Sequence, residues 1–250
     1  MQSRSYRISH FLIQACRSLG CGPERVLARA GLPADYPAYE SRGLDARTWF
    51  ACMEALIAEA SGPDGAMELG RAMAKGPLHP ALIAFSASPD IRAGLRRMAL
   101  FKPLIAPVTL AIKEADGLFR ILFNAADSSV GLPPSVAVIE LAYFLELLGM
   151  FAARQIAPLS LTVPTEARVT DDFRRLAGCE VLFGDHVSVS LSDADASLPI
   201  ISADTAVYRA VEQELMARLK SLTGAGGMAE RVGREIRGSL PSGRVSAEAV

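Results

Sequence analysis

Histidine and cysteine are scarce in this chain of 250 residues: three His (10, 79, 186) and four Cys (16, 21, 52, 179), with no C-x-x-C pair. That spacing supports neither a zinc module nor a disulfide framework, so no metal and no cofactor is expected. Charge of one sign is lacking as well. Lys and Arg total 26 against 27 Asp and Glu, a net charge of −1, which gives the chain as a whole no electrostatic footprint for nucleic acid. Lysine is rare, at 75, 102, 113 and 220, and asparagine occurs once, at 124; this bias suits a GC-rich genome and says nothing about fold. Motifs of common enzymes are missing too: no G-x-S-x-G elbow, no phosphate-binding loop with Lys, no G-x-G-x-x-G. Gly224-Ala-Gly-Gly227 follows a helical pattern, not a strand. The expectation is a protein that is not an enzyme.

Long uncharged apolar runs are also wanting. The longest apolar stretch, Val136–Ala153, carries Glu140 and Glu146 and falls at the short limit of a membrane span of about 20 residues, so it reads as a buried core helix. The N-terminus, MQSRSYRISHFLIQAC, has neither a sustained apolar segment nor a small-residue cleavage site, and is read as no signal peptide. A cytoplasmic protein with no membrane partner is expected.

What the chain has is apolar mass. Half of it is hydrophobic and its mean hydropathy is +0.25, enough for one large domain with a real core. The first hundred residues carry helical periods. Phe11, Ile13, Ala15, Cys16 and Leu19 form a stripe closed by Gly20, and Gly22-Pro23 opens a second short helix. Asp45 caps a third, with Trp49, Phe50, Met53, Leu56 and Ile57 at 3–4 spacing. A short helix over 66–74 and the segment HPALIAFSAS follow. Ser88-Pro89-Asp90 supplies an N-cap with proline at the first helical position for IRAGLRRMALF.

The period then changes. Two alternating runs flank Asp116-Gly117, a strong hairpin signal. Val108, Leu110 and Ile112 share a face with Phe119, Ile121 and Phe123. After the helix 135–153 come LSLTVPT (159–165), a helix capped by Thr170 and ended by Gly178, one or two strands in CEVLFG and VSVSLS, and a long helix over 203–222. The fold class is α+β: a helical half, then a small, mainly antiparallel sheet with a backing helix, then a C-terminal helix and linker. The division expected is a domain over 1–222, a linker over 223–227 and the start of another domain over 228–250.

Three segments and the tail carry a resemblance to the AraC/XylS family of bacterial transcription regulators, in the subgroup with a mostly helical, arabinose-binding-domain-like N-terminal region. They are GPLHPALIAFSASPDIRAGLRRMALF (76–101), the P-x-x-x-x-x-E segment Pro134–Glu140, and FRRLAGCEVLFGDHVSVSLSDADASLPI (173–200). Val232, Ile236 and Leu240, followed by VSAEAV, resemble the opening of the family's helix-turn-helix domain. The resemblance implies a small-molecule effector, a homodimer, and promoter DNA bound only through helix-turn-helix units that lie beyond residue 250.

Candidate effector contacts follow from apolar walls with a few polar groups. They are His79, Phe101, Lys102, Phe119, Ile121, Phe123, Glu140, Tyr143, Phe144 and Leu147, from the helix 135–153, the hairpin and the segment 79–102. The effector is expected to be apolar or to bear a carboxylate. Each residue also has a plain reading. Tyr143, Phe144 and Leu147 serve as packing; Glu140 pairs with an Arg or serves the helix N-terminus; Lys102 complements the dipole of the helix it ends. His79, in Pro77-Leu-His-Pro80, is a loop histidine with a satisfied hydrogen bond, or else the ligand of a haem or gas-sensing module, the alternative function. Cys16 and Cys52 lie on apolar faces, where burial dulls a thiol.

Overall fold

A computed structural model describes residues 5–36, 43–76 and 79–222. The linker and the opening helices expected over 223–250 lie outside the described residues.

Helix boundaries follow local chemistry. α1 (Ser9–Leu19) stops where Gly20 turns left-handed, φ 66°. Its buried stripe is Leu12, Ala15, Cys16 and Leu19, an i, i+3, i+4, i+7 set. Ile13, assigned to that stripe from the sequence, is 46% exposed, because the true face is centred one residue earlier. α2 (Pro23–Arg29) starts on its proline. α3 (Ala46–Glu59) is capped by Asp45, whose carboxylate accepts from Thr48 N–H at 2.8 Å. α4 (Gly65–Ala74) and α5 (Pro80–Ser86) follow. α6 (Ile91–Phe101) is capped by Asp90 through Ala93 N–H at 2.7 Å. Pro89 therefore precedes the helix instead of occupying its first turn, and buried Ser88 donates to Ala84 C=O instead of capping. A 3-10 turn, Lys102–Leu104, ends this half.

β1 (Val108–Ala115) and β2 (Leu118–Ala125) form the expected hairpin. Asp116 and Gly117 both take positive φ, 54° and 72°, as a two-residue turn of the mirror-image type I demands. Leu110 pairs with Phe123 and Ile112 with Ile121. α7 (Pro134–Phe151), β3 (Ser160–Pro164), α8 (Asp171–Ala177), β4 (Glu180–Gly184), β5 (Val187–Ser192), the single turn α9 (Asp193–Ala196) and α10 (Thr205–Leu222) complete the chain. The sheet order is β1-β2-β5-β3-β4. Its pairs are antiparallel except β3–β4, which run parallel around the crossover α8. The α+β class stands, with a mixed five-stranded sheet.

α7 is the axis of the core. Val136 to Phe144 are buried without interruption, as expected for a helix apolar on every side. It is long and apolar enough to cross a membrane, yet 61% of it is buried inside the protein. One face meets the sheet, where Phe123 and Phe144 stack edge to face at 5.0 Å. The other meets α4 through Gly70, where an added Cβ would press on Ile139 C=O and come within 2.9 Å of the Ala142 methyl. Glycine is what lets the two backbones approach. α10 stands apart: Leu215 joins Ala81, Ala84 and Phe101 in a separate small cluster, with Tyr208, Val211 and Leu219 against it.

Candidate effector cavity

On the helical side of α7, away from the sheet, the elements leave a cavity of about 960 Å³. α1 contributes Phe11 and Gln14, α3 Trp49, α4 Met73, and α7 Tyr143. The 3-10 turn adds Lys102 and Leu104, and α10 adds Ala217, Arg218 and Ser221. Arg7 enters from the strand-like N-terminus, which Tyr6 bridges to Leu44 by two backbone hydrogen bonds of 2.8 Å. The volume is in the range of small-molecule sites.

The cavity has polarity from floor to rim. Ile8, Ala15, Trp49, Leu82 and Tyr143 are buried, whereas Ser5, Arg7, Arg218 and Ser221 are exposed. Lys102 is the exception on the floor, with a side chain 2% exposed. Its Nζ lies 2.6 Å from Glu140 Oε2 and 4.9 Å from the Tyr143 ring centroid. The ion contact is off hydrogen-bond alignment, and Glu140 Oε1 has no hydrogen-bond partner among the described residues. Burial, with the Glu140 charge beside it, pushes the Tyr143 hydroxyl well above its ordinary pKa, so it stays a neutral donor. At the rim Arg218 pairs with Glu214 one turn back, both about half exposed. Such helix-surface pairs contribute only about 0.3–0.5 kcal/mol.

His79 caps α5, its Nδ1 accepting from Ala81 N–H at 3.2 Å. Burial pushes its pKa down to about 4, helped by the charges of Arg218 and Lys102 and opposed by Glu214. At neutral pH it is an uncharged cavity-wall group.

Of the residues singled out from the sequence, His79, Lys102 and Tyr143 line this cavity, and Glu140 lies behind Lys102. Phe101, Phe119, Ile121, Phe123, Phe144 and Leu147 are buried core and not among its lining. The hairpin faces the other side of α7, so the three-way meeting place inferred from the sequence does not form at this cavity. Glu140 finds its cation in Lys102, not in an Arg, and Lys102 is interior instead of dressing an exposed helix end. Sequence reasoning missed Arg7, Phe11, Gln14, Trp49, Leu104 and Arg218. Trp49 carried only a core-helix signal, and Arg218 carried none; the one available hint was that Arg218 and Ser221 share a face of α10 at i, i+3.

Thiol chemistry gains nothing from the structure. Burial pushes Cys16 up to about 12, with a hydrogen bond to the Cys21 side chain adding to it, and burial alone pushes Cys52 to about 11. Among the described residues no group of three His, Cys, Asp or Glu side chains could hold a metal ion.

Residues 20–200 match the model of the N-terminal arabinose-binding domain of the AraC transcription regulator. The chain belongs to this AraC-type family. Its fold is similar to that in the crystal structure of the transcriptional regulator CdpR from Pseudomonas aeruginosa. The TM-score is 0.55 at 14% identity, covering 92% of this chain and 71% of that one. No curated protein matches it. Family and structural neighbour alike are transcription regulators, and neither points to a haem module.

Proposed function

We propose that residues 1–222 form the effector-binding domain of a cytoplasmic, ligand-responsive AraC-type regulator, and that the effector occupies the cavity between α1, α4, α7 and α10. The observation that carries this reading is the position of α10. Its C-terminal half closes the cavity with Ala217, Arg218 and Ser221, and in the sequence the helix is followed, after the expected linker 223–227, by the segment that resembles the start of a helix-turn-helix domain. A ligand that prefers one seating of α10 over another by about 1–3 kcal/mol has the usual scale of allosteric coupling. In this reading promoter DNA is engaged through the helix-turn-helix units and not through residues 1–222. Homodimers are part of the proposal: Ala206, Val207 and Ala210 on α10 are exposed, Val207 to 43%, and form a strip for self-association.

Two variants test the reading in a regulator that carries the helix-turn-helix units, with a promoter reporter and a gel-shift assay. Ala217→Trp fills the cavity from an exposed position without removing any packing. It should abolish the effector response and leave promoter binding intact. Tyr143→Ala should do the same if the domain stays folded. A full response in Ala217→Trp would place the effector elsewhere.

A further inference from the structure

We infer that the cavity takes an amphipathic organic anion, a carboxylate on an apolar body, with its headgroup held at the rim by Arg218 and Arg7. This rests on the effector reading above and deepens it. The charge inventory comes first. The wall carries three cations, Arg7, Lys102 and Arg218, and no Asp or Glu among the described residues. A site so lined attracts negative charge.

The three cations are not equally available. Lys102 is committed to Glu140 in the interior. A ligand carboxylate that took Lys102 would leave Glu140 a buried charge without compensation, the costliest arrangement open to it. Lys102 is therefore part of a neutral floor and is not the anchor of the headgroup. Among the described residues Arg218 has Glu214 as its carboxylate partner, in a half-exposed i, i+4 pair, and surrenders that partner cheaply. Arg7 is exposed and has no carboxylate partner among the described residues. Both present guanidinium groups, whose planar fork matches a carboxylate with two hydrogen bonds.

Shape supplies the other half. Apart from the paired Lys102, the floor is apolar and buried, with Trp49, Leu82 and Tyr143, while Arg7 and Arg218 sit at the exposed rim. A neutral sugar needs hydrogen-bond partners around its whole surface, and the cavity offers few: the Tyr143 hydroxyl, the Trp49 indole N–H and an already paired Lys on the floor, with Gln14 and His79 on the wall. An apolar tail with a charged end fits both zones at once.

Trp49 is the chain's only tryptophan and lies on that floor, so its fluorescence reports occupancy without a label. The full chain would be titrated with octanoate, with octanol and with L-arabinose. Octanoate should shift the Trp49 emission saturably. Octanol should bind about tenfold more weakly or worse, the loss of one charge-assisted hydrogen bond. Arg218→Gln, or Arg7→Gln as a second exposed variant, should weaken octanoate by a similar factor and leave octanol unchanged. Equal binding of acid and alcohol, or octanoate binding indifferent to both Arg variants, overturns the anion assignment. So does silence toward octanoate in a chain whose thermal melt shows it folded. Emission shifts with arabinose alone would overturn it too while leaving the effector reading standing. The effector reading itself fails only if the Ala217→Trp regulator responds normally.

Discussion

Lys102 Nζ and Glu140 Oε2 lie 2.6 Å apart in the interior, where the floor of the cavity meets the core helix α7. Each is 1% exposed. Removing one partner strands the other, a loss of about 3–5 kcal/mol for a buried pair. Lys102→Met should therefore destabilise the domain on that scale in urea unfolding at neutral pH. The double variant Lys102→Met with Glu140→Leu should recover most of the loss, because matched apolar replacement of a buried pair is often neutral or better. Recovery is the informative result. Should the double variant be worse than either single one, the pair is fixing the local packing beyond its charges.

A second prediction concerns the crossing of α4 over α7. At Gly70 a methyl group would meet Ile139 C=O and the Ala142 side chain, and backbone cannot step aside as a flexible side chain can. Gly70→Ala removes a helix-interior glycine, which on propensity alone should help by about 1 kcal/mol. Overpacking acts the other way, by about 1–3 kcal/mol, and should win. Calorimetry would show a lower Tm; an unchanged or raised Tm would mean the helices slide apart without cost.

His79 makes stability depend on pH. Burial first, then the charges of Arg218 and Lys102, depress its pKa from 6.5 to about 4 in the folded chain. Between these two values the unfolded chain holds a proton that the folded chain lacks. The contribution of neutral His79 is therefore fully present above about pH 6.5 and is lost as pH falls toward 4. His79→Gln should flatten the stability profile in that window relative to the parent, and NMR titration should show one imidazole still neutral at pH 5. A His79 that titrates near 6.5 in the folded chain would contradict this.

Much of the fold was legible because local chemistry decided it. Asp45, Thr170, Gly20 and Gly178 mark helix ends by caps that act within one turn, and Asp116-Gly117 sets the hairpin register by the sign of two φ angles. The cavity was less legible, since it is made by distance in space. Lys102 and Glu140 were both named as candidates, yet nothing in the sequence says that residues 38 apart neutralise each other. Phe119, Ile121 and Phe123 alternate as a buried strand face must, but alternation does not say which side of α7 the strand will cover. Arg7 and Trp49 needed the N-terminus bridged to Leu44 before they could share a wall.

The last prediction is that α10 moves more easily than the body it closes. Its anchorage is a small cluster of its own: Leu215 fully buried against Ala81, Ala84 and Phe101. Nearer its start, the Arg97 guanidinium lies 3.3 Å from the Tyr208 ring centroid while donating to buried Ser88 at 2.8 Å. An element with few buried apolar contacts occupies the low end of the range of local opening free energies. Hydrogen exchange should therefore be faster through 205–222 than through α7, where the burial is continuous from Val136 to Phe144. Leu215→Ala should widen that gap, releasing α10 while α7 protection holds. The expected loss is about 2–5 kcal/mol, the usual range for a buried Leu→Ala change, and it should fall on the helix instead of the whole domain. A saturating cavity ligand should slow exchange over 211–222, because Ala217, Arg218 and Ser221 are wall residues, and Leu215→Ala should weaken that protection. If exchange through α10 matches that of α7 in the free chain, the helix is part of the rigid body and cannot carry an effector signal by changing its seat.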